Sequence, residues 1–132
     1  MSVVIFLCSL FGIHIGESGS EEMISYNDTN TVVTVSLDEN PSTGYGWTYT
    51  VSEDGVIWLA NDEFHSEATG NIAGAGGVRA FSFSGLKAGT VEITFTYLRS
   101  WEGDPIRTVV IECSVAADRT VTAQLLSDLD AE

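Results

Sequence analysis

The chain has 132 residues, of which 44% are hydrophobic, so it is long enough and apolar enough to form one domain around one core. Its 19 acidic and 5 basic residues give a formal net charge of −14, which argues against nucleic acid and anionic membranes as partners. The charge would favour a neutral or basic partner, and it is equally typical of a surface tuned for solubility.

Residues 3–15 form an apolar run that is broken by only four small or polar residues. The run is shorter than a helix that crosses a membrane. It resembles the hydrophobic part of a secretory signal, although no lysine or arginine precedes it. We therefore predict that residues 1–20 are a signal-like segment and that the protein is secreted or periplasmic. The alternative is that these residues form a first strand of the domain.

From Ile24 onward, apolar and polar residues alternate with a period of two, which is typical of half-buried β-strands. We predict strands over residues 31–37, 47–51, 56–60, 81–84, 91–97 and 109–115, with loops over 61–77 and 98–105. Many short strands separated by turns favour an all-β fold, an antiparallel β-sandwich. Residues 119–132 remain ambiguous, because Val121, Leu125 and Leu129 lie at helical spacing but the tail could equally be frayed.

Little in the sequence indicates catalysis. Cys113 alternates in step with apolar neighbours, so we predict a buried core thiol rather than a reactive site or a bridge to Cys8. His65 lies in a predicted polar loop, and outside the signal-like segment no second histidine supports a nucleophile and base. Paired carboxylates such as Asp38 and Glu39 are expected to be surface charge. No zinc-ligand spacing occurs, so we expect no metal, no cofactor and no enzyme.

One stretch between two predicted strands, here named the first loop, has the composition of a shaped turn. Its glycines allow backbone angles that are rare for other residues, its proline fixes one φ angle, and its aromatic residues can anchor it. Taken alone, it fits an ordinary hairpin connection as well as a binding site. The first loop reads Asn40-Pro41-Ser42-Thr43-Gly44-Tyr45-Gly46-Trp47.

Two later stretches favour a binding site. The second loop, residues 70–77, contains four glycines in eight residues, which permits close approach of a partner to the backbone or else marks a flexible connection. The third loop, residues 97–105, places Arg99 and Trp101 near a tip, and these residue types are common interface hot spots. The alternative for Trp101 is an indole folded back onto the sandwich with Arg99 stacked on it.

In order and approximate spacing, these motifs resemble those of the chagasin-type inhibitors of papain-like cysteine peptidases. The family pattern is Asn-Pro-Thr-Thr-Gly-Tyr/Phe-x-Trp, then Gly-x-Gly-Gly, then Arg-Pro-Trp, and the resemblance covers about residues 24–115. This sequence differs from the family pattern at two positions: Ser42 stands where the pattern has threonine, and Ser100 where it has proline. The matching residues here are Asn40 to Trp47, then Gly74-Ala75-Gly76-Gly77, then Arg99-Ser100-Trp101.

The resemblance implies an immunoglobulin-like sandwich over residues 21–118 that acts as a monomer, with a C-terminal tail over 119–132. It also implies reversible occlusion of a papain-like peptidase by three loops from one end, without a cofactor and without catalysis. The contact residues implied are Asn40, Pro41, Ser42, Thr43, Gly44, Tyr45, Gly74, Ala75, Gly76, Gly77, Arg99, Ser100 and Trp101. Within the first loop, Asn40, Pro41, Gly44 and Trp47 are expected to shape it, and Ser42, Thr43 and Tyr45 to meet the peptidase. The alternative function is an immunoglobulin-like adhesion or carbohydrate-binding module.

Overall fold

The alternating segments of the sequence form eight β-strands in a computed structural model, which describes residues 23–66, 76–99 and 101–130. The signal-like segment, residues 1–20 with Cys8, and the predicted contact residues Gly74, Ala75 and Ser100 lie outside the described residues. The strands are β1 (Ile24–Tyr26), β2 (Val32–Glu39), β3 (Tyr45–Val51), β4 (Ile57–Ser66), β5 (Gly77–Gly85), β6 (Gly89–Arg99), β7 (Arg107–Val115) and β8 (Val121–Asp130).

The strands form two four-stranded sheets in the orders β1-β2-β5-β4 and β3-β6-β7-β8. Every pair of neighbouring strands is antiparallel. The inward face of each central strand is apolar, and an aromatic cluster lies between the sheets: the rings of Phe83 and Phe95 are 6.3 Å apart, and Tyr49 meets both. The predicted antiparallel β-sandwich is therefore confirmed.

Cys113 lies on the inward face of β7 and is fully buried. Burial in apolar surroundings raises the pKa of its thiol to about 11, because the thiolate would lose its hydration there. The prediction of a buried core thiol is confirmed.

The structure differs from the prediction at β4, which continues to Ser66 instead of ending at residue 60. Residues 61–66 pair with β5 in antiparallel register after a bulge at Ala60, so they are strand and not loop. The strand lies at a sheet edge and is mostly exposed, which removes the alternation that identifies half-buried strands. His65 therefore lies on an exposed strand, where its Nε2 is 3.1 Å from Glu63 Oε2.

The tail is neither helical nor frayed, because residues 121–130 form the edge strand β8 along the whole length of β7. One extra residue, Leu126, lies between the pairs Ile111–Leu125 and Val110–Ser127. A spacing of four residues is compatible with a strand as well as with a helix, and Val121 and Leu125 both pack against the core. Because the bulge changes the phase of the alternation, Leu129 beyond it is 64% exposed.

The strand registers bring three connections to one end of the sandwich, which we name the loop end. Glu39 at the end of β2 pairs with Gly77, and Gly77 also pairs with Ser66 of β4. Tyr45 at the start of β3 pairs with Arg99 at the end of β6. The first, second and third loops therefore leave the sheets at the same end. In the described part of the chain, no helix is long and apolar enough to cross a membrane.

An ion pair between neighbouring strands stabilises the loop end. Arg107 Nε and Nη2 donate to the two carboxylate oxygens of Asp128 at 2.9 and 2.8 Å. These hydrogen bonds lower the pKa of Asp128 and raise that of Arg107. The ionised pair thus favours the folded state.

We predict that Asp128→Asn destabilises the fold by about 1 kcal/mol near pH 6, since the pair is bidentate but partly screened by solvent. Because the folded pKa of Asp128 is depressed below 3.8, its contribution is present above that pH. It disappears as the pH falls through the folded value. Thermal unfolding of the parent and the variant between pH 7 and pH 2 measures the difference, which should close at the acid end.

Asp54→Asn is the matched control for this charge, because Asp54 is exposed in the turn after β3 and makes no ion pair with any described residue. Its melting temperature should follow that of the parent at every pH. A constant deficit in Asp128→Asn down to pH 2 would contradict the role of the ionised carboxylate.

Candidate functional site

The tip of the first loop is a single 3-10 turn, Pro41–Thr43, which Asn40 caps. The Asn40 side-chain oxygen accepts hydrogen bonds from the Ser42 backbone N–H at 3.2 Å and from the Ser42 hydroxyl at 2.7 Å. The Thr43 hydroxyl donates to the Asn40 carbonyl at 2.7 Å. Both hydroxyls at the tip are therefore engaged within the loop, and they hold its shape.

Gly44 ends the turn in the left-handed region, with φ of 86°. A Cβ atom added at Gly44 would lie 2.6 Å from Cη2 of Trp101, closer than real Cβ contacts come. The backbone conformation and the present position of the Trp101 indole therefore both oppose a side chain at Gly44. The indole of Trp101 covers the backbone of the first loop at this point, so the first and third loops are in contact.

Arg99 connects the same two loops. Its guanidinium carbon lies 4.5 Å from the ring centre of Tyr45 and 5.7 Å from that of Trp101. Its Nε donates to the Thr43 carbonyl at 3.1 Å, and its Nη1 donates to Glu102 Oε2 at 3.2 Å. Arg99 therefore both stacks on aromatic rings and pairs with a carboxylate of its own chain. Trp101 remains 70% exposed despite these contacts, so it is not folded onto the sandwich.

The end of the second loop lies beside the base of the first. A Cβ atom added at Gly76 would lie 3.3 Å from the Glu39 carbonyl and 3.7 Å from Asn40 Cβ. One added at Gly77 would collide with the His65 carbonyl of β4. Gly77 is therefore required by the close approach of two strands inside the protein, a reason that the sequence pattern alone did not indicate.

Two aromatic residues hold the base of the first loop, and sequence reasoning identified only Trp47 as an anchor. The Trp47 indole N–H donates to the Asp38 carbonyl at 2.8 Å, and the Asn40 N–H donates to the Tyr97 hydroxyl at 3.0 Å. The two rings are stacked, with centroids 4.8 Å apart. Tyr97 lies at the end of the inward-facing row of β6, directly before a loop, and this position is the signal that could have identified it.

The prediction that Asp38 and Glu39 are both surface charge is wrong for Glu39, which is 5% exposed. Its two carboxylate oxygens accept from Arg79 Nε at 2.8 Å and Nη2 at 3.1 Å, and Arg79 Nη1 also reaches Asp62 at 3.1 Å. These interactions raise the pKa of Arg79. The pair satisfies the one charged side chain that is buried in the described ranges, immediately before the first loop.

Together these contacts give a preformed surface at the loop end. The described residues contain no group of three or more histidines, cysteines and carboxylates that could hold a metal ion. The predicted contact residues Asn40 to Tyr45, Gly76, Arg99 and Trp101 meet at the loop end, and Gly77 lies in the strand behind them.

We predict that Gly44→Ala lowers the free energy of unfolding by about 1–2 kcal/mol and displaces the Trp101 indole, because both φ and the space oppose the added methyl group. Chemical denaturation measures the first effect. The second is the change in tryptophan emission that Gly44→Ala causes in the parent and does not cause in a Trp101→Phe background.

Variants at two other glycines separate the effect of a positive φ from the effect of contact with Trp101. Gly103 has φ of 81° but no atom within 4 Å of an added Cβ, so Gly103→Ala should cost stability without moving Trp101. Gly46 has neither constraint, so Gly46→Ala should resemble the parent. Equal behaviour of Gly44→Ala and Gly46→Ala would refute the contact between the first and third loops.

Most of the chain is similar to proteins of known function. Residues 27–115 match the model of the Chagasin family peptidase inhibitor I42, a span that contains all three loops and ends before β8. The chain is 33% identical to Amoebiasin-2 of Entamoeba histolytica over 89 residues, which are 65% of this chain and 69% of that protein. It is 30% identical to Chagasin of Trypanosoma cruzi over 77 residues, which are 54% of this chain and 68% of that protein.

A solved structure agrees with these matches. The crystal structure of the cysteine protease inhibitor EhICP2 from Entamoeba histolytica aligns with a TM-score of 0.53 and 29% identity, covering 60% of this chain and 73% of that one. The fold predicted from the resemblance is confirmed by this likeness. The prediction that the protein is not an enzyme is confirmed as well, since the family consists of protease inhibitors. The chain belongs to the chagasin family of peptidase inhibitors.

Proposed function

We propose that the protein is a reversible inhibitor of papain-like cysteine peptidases that occludes the active-site cleft with the three loops of the loop end. The observation that carries the proposal is the packing of Trp101 on Gly44 with Arg99 beside both, which joins the first and third loops into one exposed ridge. The charge of Arg99 in this ridge is paired with that of Glu102. The solved relative EhICP2 is described as a cysteine protease inhibitor, which supports a peptidase of this class as the partner.

The first loop is suited to enter a narrow cleft. Its tip carries no charge, and the hydroxyls of Ser42 and Thr43 already have hydrogen-bond partners within the loop. Burying the tip therefore leaves no charged group unpaired and no hydroxyl without a partner. The ordered turn also lowers the conformational entropy that binding would otherwise remove.

The same turn protects the loop from hydrolysis. A peptidase of this class attacks a carbonyl carbon in a substrate that is placed for attack. The Asn40 and Pro41 carbonyls instead accept hydrogen bonds from the backbone N–H groups of Thr43 and Gly44, at 3.1 and 3.0 Å. The turn holds them away from an extended, cleavable conformation, so the complex is an occlusion that dissociates intact.

The third loop supplies a rigid aromatic wall despite Ser100 standing where the family pattern has proline. The backbone N–H groups of Glu102 and Gly103 both donate to the Arg99 carbonyl, at 3.0 and 3.1 Å. These bonds and the Trp101 packing on Gly44 restrict the loop without the proline ring. We propose that Trp101 lies against one wall of the cleft and that Gly74, Ala75 and Gly76 lie against the other.

The size of the loop end fits this function for a monomer. A standard tight interface buries roughly 800 Å² on each partner, which three adjacent loops of a small sandwich can supply. Buried aromatic anchors surrounded by uncharged contacts are the usual source of affinity in such interfaces.

We predict that Trp101→Ala weakens inhibition of papain at least thirtyfold, which corresponds to about 2 kcal/mol, because truncation removes a large rigid contact face. The measurement is the inhibition constant from residual papain activity at increasing inhibitor concentration.

Trp58→Ala is the matched control, since Trp58 is 52% exposed but lies on β4 near Gly85, at the opposite end of the sandwich. It should inhibit as well as the parent. If Trp101→Ala also inhibits like the parent, the third loop is not part of the interface. A parent protein that fails to inhibit papain and cathepsin L at micromolar concentration but binds in a glycan screen would favour the carbohydrate-binding alternative.

A further inference from the structure

The last strand of the chain reaches the loop end, although it lies outside the span that matches the family model. That span ends at residue 115, and β8 covers Val121–Asp130. Asp130 pairs with Arg107 of β7, and Arg107 in turn pairs with Tyr97 of β6, the first residue of the third loop. The end of β8 is therefore a neighbour of the loops in space.

The bulge in β8 determines which side chains face the loops. Because Leu126 is the extra residue, Asp128 and Asp130 lie opposite Val109 and Arg107, on the inward face of the sheet. Without the bulge, the opposite set of β8 residues would face inward. Because of this change of phase, the carboxylates of Asp128 and Asp130 lie at the loop end, where the space between the two sheets opens to solvent.

A depression of about 390 Å³ lies at this mouth. Its lining joins the first and second loops to β8, so it is continuous with the proposed peptidase-binding surface. The volume is at the lower end of the roughly 300–1,000 Å³ of small-molecule sites, which suits one protruding side chain of a partner. The residues that line the depression between the loops and β8 include Asn40, Gly76, Tyr97, Ile106, Arg107 and Asp130.

The depression carries an excess of negative charge. Arg107 is neutralised by Asp128, and the buried carboxylate of Glu39 is neutralised by Arg79. Asp38 and Asp130 also line the depression, and both are exposed. Both attract Arg107 at longer range, but neither forms an ion pair with a described residue. Because Arg107 is already paired with Asp128, the two carboxylates leave a net negative charge in the depression. An apolar side chain placed here would strip water from both carboxylates without replacing it, and an acidic one would be repelled.

We propose that the end of β8 is a fourth contact element of the loop end and that this depression receives a lysine or arginine side chain from the rim of the peptidase cleft. The inference rests on the proposed function and adds a basis for choosing among papain-like peptidases. The three loops block the cleft, and the depression favours targets with a basic residue beside it.

The test compares Asp130→Asn, Asp38→Asn and the double variant with the parent on a set of papain-like peptidases, some with basic and some with acidic residues around the cleft. On the basic members, at 50 mM salt, each single variant should weaken inhibition about threefold to tenfold, mainly through slower association. The difference in inhibition constant between each variant and the parent should become smaller at 0.5 M salt, where charges are screened within a few ångströms. On the acidic members the variants should inhibit as well as the parent or better.

Glu53→Gln is the matched control, because Glu53 is exposed in the turn at the opposite end and the change removes the same charge. It should leave all inhibition constants close to those of the parent. Equal losses in Glu53→Gln and Asp130→Asn would overturn the inference in favour of a general effect of net charge. Inhibition by Asp130→Asn equal to that of the parent on every peptidase would overturn it directly.

The failure of this inference differs from failure of the proposed function. If the parent inhibits and Trp101→Ala does not, while the Asp130 variants match the parent, only the fourth contact element is refuted. A parent that inhibits no member of the set refutes the proposed function and this inference together. Unchanged melting temperatures show that the Asp130 and Asp38 variants remain folded.

Discussion

The stacked pair of Trp47 and Tyr97 is the interaction on which the loop end depends, because it joins the two sheets where the chain crosses between them. Both rings belong to the β3-β6-β7-β8 sheet, and each makes a hydrogen bond to backbone at or just beyond the end of β2 in the other sheet. Those bonds reach the Asp38 carbonyl and the Asn40 N–H, the two positions from which the first loop starts. The loop is therefore fixed relative to both sheets, and this anchoring limits the movement of its tip.

The arginines extend this arrangement across the whole loop end. Three of the five basic residues of the chain, Arg79, Arg99 and Arg107, lie here, and each contacts both a carboxylate and an aromatic ring. In a molecule with a net charge of −14, the three arginines balance the carboxylates of Glu39, Glu102 and Asp128 at the loop end. Asp38 and Asp130 leave an excess of negative charge at the same end.

The sequence predicted the central strands and the edge strand β3, but it missed the second half of β4 and the whole of β8, for a physical reason. Strands such as β6 and β7 bury one face, so alternation records their position directly. The edge strand β4 buries little, and β8 changes phase at Leu126, so neither leaves a regular pattern. The first loop was recognisable as a turn because turns need particular residue types. The prediction that it binds a partner came from the resemblance of three motifs to those of a family. The roles of Tyr97 and Gly77, and the burial of Glu39, depend on contacts with residues distant in sequence, which no local pattern contains.

The hydrogen bonds inside the first loop hold its tip in a turn that differs from the extended conformation of a peptidase substrate. Five bonds hold residues 40–44 in the turn: two to the Asn40 side chain, two to the Asn40 carbonyl and one to the Pro41 carbonyl. These bonds are exposed and compete with water, so each contributes about 1 kcal/mol or less, but all of them favour the closed turn. Cleavage of the proposed complex would require the turn to open. Ser42 and Thr43, the residues first expected to meet the peptidase, therefore also hold the turn closed, and the proposed mode of inhibition depends on the shape of the tip as well as on its contacts.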